Sequence, residues 1–245
     1  MRIAIIDLGT NTFNLLIADI GVTEKFIPVF NDKIAVKLGE GGIHLNKILP
    51  VPFERGLAAI ATYKETIENY RVEDIHAFAT SAIRSASNGG DFVAAVKANF
   101  NIEIQVIDGD KEAELIYEGV RLGVQLSEQY ALIMDIGGGS TEFIIANAKG
   151  YVWKQSFNLG AARLLEKFKP SDPIKPNEIA DFESYFDAEL QPLTKAVKLH
   201  AVHELIGSSG SFDTFAEVMS ERFYQTINLK LQSSFDFKMD DFYLM

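Results

Sequence analysis

The sequence predicts an α/β protein of two domains built on one repeated plan, and three observations carry that reading. Strand-like and helix-like segments alternate through both halves of the 245-residue chain, the pattern of α/β architecture. An apolar run closed by an aspartate and followed by a polar, glycine-containing turn occurs near the start and again from Ala131. Laying Asp135 on Asp7, an offset of 128, pairs Gly137 with Gly9, Ser140 with Thr12, Glu142 with Asn14 and the run FIIA with LLIA, without a gap. Two unrelated buried hairpins would share hydrophobicity alone. Matched acid, glycine and hydroxyl positions point instead to internal duplication, and the chain halves near residue 125, into domains of residues 1–125 and 126–245. Domains of about 100–150 residues are long enough to bury a core each.

The elements follow in order. Ile3–Ile6 and Phe13–Ala18 (FNLLIA) are short apolar runs joined by DLGTNT, which is turn material, and read as a buried hairpin. Phe53–Arg71 has no proline, and no glycine after Gly56; Leu57, Ile60, Ala61, Tyr63 and Ile67 recur at helical spacing. Ile75–Ala79 reads as a strand and Asp91–Asn99 as a short helix, and Ile102, Ile104 and Val106 alternate as a strand does. Asp110–Gly123 returns to helix, with two acids in its first turn, where the helix dipole favours them. In the second half ALIMD is a strand, IGGGST a turn and EFIIANA a strand. A helix over Ala161–Phe168 leads into the Pro-rich loop KPSDPIKP, with Asn177 as the cap of a long helix interrupted at Pro192. The strand HELIG, the loop GSSGS and a helix from Phe212 come next. The tail SSFDFKMDDFYLM has no clear period and is given no element.

Composition excludes several classes of protein. Hydrophobic residues make up 47% and charged residues 23%, ordinary globular usage that rules out wholesale disorder. Acids outnumber bases 34 to 23, a formal net charge of −11, which argues against DNA binding or membrane-surface binding through global positive charge. The absence of cysteine removes disulfides, thiolate metal sites and thiol nucleophiles. No stretch reaches the roughly 18 apolar residues of a membrane span. Asp7 interrupts the N-terminal run after four apolar residues, too few for a signal-peptide core. A cytoplasmic protein is the expectation.

The residues with chemistry cluster at the two hairpins. Each places an aspartate at the end of a buried strand, where an unpaired carboxylate is costly and a hard cation is a natural partner. The adjoining glycines let backbone N–H groups approach an anion closely, and Thr10, Asn11, Thr12, Ser140 and Thr141 add donors. Two such loops facing each other would clasp a phosphate and its metal. Either loop alone would pass for a tight turn; the same loop twice, with matched acids, favours the clasp. Arg163, Lys167 and Lys169 follow the NLG segment, as a lining for an anionic chain or as a solvated helix face. His44, His76, His200 and His203 show no metal-ligand spacing, and Trp153 and the 18 phenylalanines are read as core.

The segments DLGTNTFNLLIAD, ATSAIRSASNG, VIDGDKEAELIYEGV, DIGGGSTEF, NLGAARL and GSSGSFDTF resemble, in order, those of the exopolyphosphatase/guanosine pentaphosphate phosphatase (Ppx/GppA) family. That family lies within the actin-like ATPase-fold superfamily, and the resemblance covers residues 1 to about 216. It implies two duplicated actin-like (ribonuclease H-like) α/β domains with a cleft between them. Glu112, in KEAELI, then matches the family's catalytic glutamate, which activates the attacking water. Asp135 and Glu142 match acids at the divalent-metal site, with Mg²⁺ or another divalent cation as cofactor. Gly137, Gly138, Gly139 and Ser140 match the phosphate loop, and Asp7, Gly9, Thr10 and Asn11 the opposing loop. Arg84, in SAIRSA, matches a phosphate-binding arginine, and Gly207, Ser208, Ser209 and Gly210 a loop that meets a nucleotide in relatives. The chemistry agrees, since cleaving a phosphoanhydride chiefly needs in-line positioning and neutralised phosphoryl oxygens.

Relatives continue past GSSGSFDTF with further helices and a last strand, and no counterpart of that closing segment is found. The second domain is therefore expected to be shortened at its C-terminus, with exposed edges that favour association, as in a homodimer. The leading expectation is a hydrolase releasing terminal phosphate from polyphosphate, guanosine pentaphosphate or both. The alternatives are an ATP-dependent kinase or ATPase of the same superfamily, and a homologue that binds polyphosphate or an alarmone without hydrolysis.

Overall fold

The computed structural model describes residues 1–21, 26–224 and 234–245. The chain forms two compact units. The first comprises Met1–Gly109, Gly138–Ser140 and Asn158–Pro173, and the second Asp110–Gly137, Thr141–Phe157 and Ile174–Met245.

In the first unit β1 (Arg2–Leu8) and β2 (Thr12–Ile20) form the expected hairpin, and β3 (Phe26–Ala35) extends it. Then come α1 (Pro50–Asn69), β4 (Asp74–Ala79), α2 (Ser81–Ser85), α3 (Gly89–Phe100) and β5 (Ile104–Val106). The sheet order is β3-β2-β1-β4-β5, with β1, β2 and β3 antiparallel and β4 and β5 joined in parallel. Leu15 and Ile17 of β2 pack with Ala4, Ile6 and Leu8 of β1 against Ile60 and Tyr63 of α1 and Phe92 of α3. The short α5 (Ala161–Phe168) belongs to this unit too.

The second unit opens with α4 (Gly109–Gly123) and repeats the plan with β6 (Ala131–Ile136), β7 (Thr141–Asn147) and β8 (Gly150–Phe157). After α6 (Pro176–Glu189) and α7 (Gln191–His200), β9 (Glu204–Ser208) pairs in parallel with β6, giving the order β8-β7-β6-β9. Helices α8 (Gly210–Phe223) and α9 (Met239–Tyr243) complete it. Every residue of β7 is buried, which is why its apolar run is continuous rather than alternating.

The duplication is written into the strand pairing. Asp7 opposes Asn14 and Asp135 opposes Glu142, pairs separated by the same 128 residues. The outer ladders shift register between Ile17 and Ala18 in one sheet and between Ile145 and Ala146 in the other. Those positions are again 128 apart, so even the bulge is repeated between the two sheets.

Three details differ from the sequence reading. The strands β3 and β8 were not expected. Exposed residues dominate β3, which carries Pro28 and the polar triplet Asn31–Asp32–Lys33, so it has no apolar face to read. The long helix begins at Pro176 with Lys175 as its cap, not at Asn177. Glu178 accepts the Lys175 backbone N–H at 2.8 Å, and Pro176 at the first helical position has no N–H to leave unsatisfied. The predicted break before Pro192 is present, at Leu190, and the tail contributes α9. Among the described residues, no helix is long and apolar enough to cross a membrane.

A polar tie runs through the first core. The buried Tyr63 hydroxyl donates to the Phe13 carbonyl at 2.7 Å, and burial pushes its pKa up to about 12. Tyr63→Phe removes that hydrogen bond and is expected to lower unfolding free energy by about 1–2 kcal/mol in urea denaturation.

Candidate functional site

In the first unit two turns meet through glycine. Gly138–Ser140, the turn joining β6 to β7, packs with this unit. A Cβ at Gly138 would lie 2.9 Å from the Asn11 side chain and 3.1 Å from Thr10 Cβ. One at Gly139 would lie 2.6 Å from Ser81 Oγ and would collide with Thr10 Oγ1. A Cβ at Gly160 would collide with the Gly138 and Gly139 backbone. Thr10 and Ser81 are 4% and 2% exposed. The Ser81 hydroxyl has no hydrogen-bond partner among the described residues, an arrangement that carries a cost unless something else satisfies it. Thr10 and Asn11 are held through their own carbonyls, which accept Gly39 N–H at 3.2 Å and Lys37 N–H at 2.7 Å.

Asp7 stands one residue before the end of β1, close to these residues in sequence. Asn14 Nδ2 donates to its Oδ2 at 3.0 Å. Burial raises its carboxyl above the usual carboxylate range, and the Asn14 hydrogen bond works the other way. Arg84, on α2, donates through Nη1 to the Ile107 carbonyl at 3.0 Å.

In the second unit Asp135 lies between Glu142 on one neighbouring strand and Ser208 on the other. Glu142 is 1% exposed, and Ser156 Oγ donates to its Oε1 at 2.6 Å. Two carboxylates facing each other across a ladder, one of them buried, repel unless a proton or cation intervenes. No cluster of three or more histidine or acid side chains able to hold a metal is present among the described residues. Two carboxylates nevertheless suit Mg²⁺, which takes one or two from protein and the remainder of its shell from phosphate and water.

Glu112 stands in the first turn of α4, and that turn is fastened by its neighbours. Glu114 accepts from Lys154 Nζ at 2.9 Å, Tyr151 Oη at 3.1 Å and Lys111 Nζ at 3.2 Å. Lys154 Nζ also donates to the Asp110 carbonyl at 2.8 Å. These donors, Lys154 foremost, bring the Glu114 carboxyl down to about 2.

The model of the Ppx/GppA phosphatase family matches residues 16–236. The chain belongs to the Ppx/GppA family. Its fold is the actin-like ATPase fold. A crystal structure of an exopolyphosphatase from Cytophaga hutchinsonii is 41% identical with a TM-score of 0.92, covering 95% of this chain and 74% of that one. The Aquifex aeolicus member of the Ppx/GppA family is 26% identical with a TM-score of 0.72, covering 94% and 72%. A bifunctional 3-dehydroquinate synthase/phosphatase from Fusobacterium nucleatum is 39% identical over 173 residues, 67% of this chain and 26% of that protein. The chain thus spans about a quarter of the length of that curated relative.

Within this Ppx/GppA chain the residues singled out from sequence group by unit. Thr10, Asn11, Gly138 and Gly139 meet in the first, and Asp135, Glu142 and Ser208 are ladder neighbours in the second. The GSSG loop has a packing function of its own. A Cβ at Gly207 would overlap the Phe212 ring, and Ser209, at φ +75°, donates to the Ile136 carbonyl at 3.3 Å. Reading the sequence missed Ser81, Ser156 and the Lys154–Glu114 tie. Strand alternation in β8 would have placed Lys154 and Ser156 on one face, had β8 been recognised. Of the basic cluster, Lys167 lies over the Phe168 ring at 5.6 Å, while Arg163 turns onto main-chain carbonyls.

Two outcomes are expected. Gly160→Ala forces backbone apart in the turn and should lower stability by about 1–3 kcal/mol, measured by thermal unfolding. Asp7→Asn should do the opposite for stability. The folded carboxyl titrates above the unfolded one, so its contribution is present below the ordinary carboxylate range and is lost as pH rises through the raised value. The variant should therefore gain on wild type from about pH 4 upward and hold a constant lead once Asp7 is ionised in both states, in melting curves from pH 3 to 8.

Proposed function

We propose that the protein is a phosphoanhydride hydrolase that removes terminal phosphate from inorganic polyphosphate, with guanosine pentaphosphate as a second substrate. The observation that carries this reading is the second hairpin, where Asp135 and Glu142 oppose each other beside the Gly137–Ser140 turn in a chain 41% identical to an exopolyphosphatase. Asp135 and Glu142 would hold a divalent cation such as Mg²⁺, which when bound neutralises phosphoryl oxygens.

The chain's own residues supply the rest. Glu112 takes a proton from water as its oxygen forms a bond to the terminal phosphorus. The bridging P–O bond breaks, and the shortened polyphosphate leaves with the bridging oxygen. Arg84 grips phosphoryl oxygens as a fork, and the glycine turns with Thr10, Asn11 and Ser140 orient the phosphate through N–H and hydroxyl donors. The Lys154–Glu114 tie keeps the first turn of α4 in place for Glu112.

The test is phosphate release from long-chain polyphosphate with Mg²⁺, run beside guanosine pentaphosphate. Wild type is expected to release phosphate, fastest from polyphosphate, and Glu112→Gln to lose roughly 10²–10⁴-fold in kcat. Undiminished release by the variant would remove Glu112 from the mechanism. Binding of polyphosphate with no release by wild type would make the protein a binding homologue instead.

A further inference from the structure

We propose that Arg163 is a positioning residue that ties the carbonyls of the Gly138–Ser140 turn back, so that the Gly139 and Ser140 N–H groups face the opposite way as paired donors to a phosphate. The ligand in this inference rests on the proposed function; the geometry lies wholly within the first unit.

The Arg163 guanidinium donates through Nε to the Gly139 carbonyl at 2.9 Å, through Nη1 to the Ile43 carbonyl at 3.2 Å and through Nη2 to Ser85 Oγ at 3.3 Å. The start of α5 holds the preceding carbonyl, since Ala162 N–H and Arg163 N–H donate to Gly138 O at 2.9 and 3.2 Å. In a planar trans peptide the C=O and N–H point in opposite directions. Gly138 O shares its peptide with Gly139 N–H, and Gly139 O shares its peptide with Ser140 N–H. With both carbonyls drawn toward α5, both N–H groups are directed away from it. Successive N–H groups on one side of a turn form an anion-binding concavity.

Arginine suits the task because its planar fork carries five fixed donors, whereas a lysine ammonium is a single point. One guanidinium here reaches acceptors in three segments. Ser85 adjoins Arg84. Ile43 lies in the loop whose Lys37 and Gly39 N–H groups hold Asn11 O and Thr10 O. A second tie secures that loop, with Glu166 Oε1 accepting Gly41 N–H at 2.5 Å and Glu166 Oε2 lying 2.8 Å from His44 Nδ1. Both phosphate turns are thereby referenced to α5, and Gly160 allows α5 to begin in contact with the turn.

The test compares R163K and R163M with wild type in three measurements: melting temperature, KM and kcat for long-chain polyphosphate with Mg²⁺, and amide hydrogen exchange over residues 138–141. Both variants are expected to fold, to raise KM by roughly 10- to 100-fold and to exchange faster in that segment. R163K should resemble R163M, because a lysine keeps the charge and loses the fork. Wild-type KM and exchange in R163K would overturn the proposal in favour of charge alone. Unchanged KM and exchange in both variants would reduce Arg163 to a surface contact. Should R163M fail to fold, R163Q, which keeps one donor and no fork, replaces it with the same expectation. If wild type releases no phosphate, the substrate assignment fails by itself, and the exchange measurement still decides whether Arg163 sets the turn.

Discussion

The pairing of one residue on the first strand of each hairpin with one on the second, a single step short of the turn, is the constraint on which everything chemical in this molecule depends. Asp7 with Asn14, and Asp135 with Glu142, stand at the same ladder position in two sheets. A slip of one residue would send every side chain of the strand to the other face. It would put Asp7 or Asp135 among apolar neighbours and Ile6 or Met134 at the turn. Burial of the Leu8, Phe13 and Leu15 side chains in one copy and of Ile133 and Ile144 in the other makes that slip costly. The hydrophobic faces hold the acids in place.

The two copies then diverge by one substitution with large electrostatic consequences. In the first, the partner is an amide that donates to the carboxylate, so a raised but singly charged Asp7 is tolerated. In the second, the partner is another acid, Glu142, almost fully buried and supported by Ser156. A neutral donor opposite a carboxylate is self-sufficient, while two carboxylates create a demand for positive charge. The repeated hairpin thus carries two different electrostatic environments, and the proposed function assigns the anion to the first and the cation to the second, the two demands of phosphoryl transfer.

This logic sets what was legible in the sequence. Hairpins, duplication and the central helices announce themselves through apolar period and matched polar positions, because burial on a repeated scaffold forces both. The strands β3 and β8 were silent. They flank their sheets, meet water along much of their length and carry residues such as Asn31, Asp32 and Lys154 that lack an apolar rhythm. For the same reason the supporting residues Ser156, Tyr151 and Lys154 escaped notice, since their significance is a distance to an acid far away in the chain. Arg163 was visible as a charge but not as a hydrogen-bond fork, because two of its three acceptors are main-chain carbonyls, which have no signature in sequence. Gly138 and Gly139 were visible for their backbone freedom, yet their structural reason is crowding by Thr10, Asn11, Ser81 and Gly160.

The global charge explains why the site takes this form. A net charge of −11 repels a polyanion at long range, and at physiological salt that repulsion fades over about 8 Å. Attraction must therefore come from donors effective at contact distance. Backbone N–H groups and hydroxyls act at about 3 Å and carry no net charge that neighbouring acids could cancel, and a forked guanidinium adds directed donors at the same range. A basic surface patch would have to overcome the acidic majority, whereas a glycine turn with its carbonyls tied back presents dipoles that the net charge hardly alters. For an acidic protein acting on phosphate chains, as proposed here, orienting peptide groups avoids that conflict. It makes recognition depend on a few backbone conformations, and hence on the residues, glycine and arginine above all, that hold them.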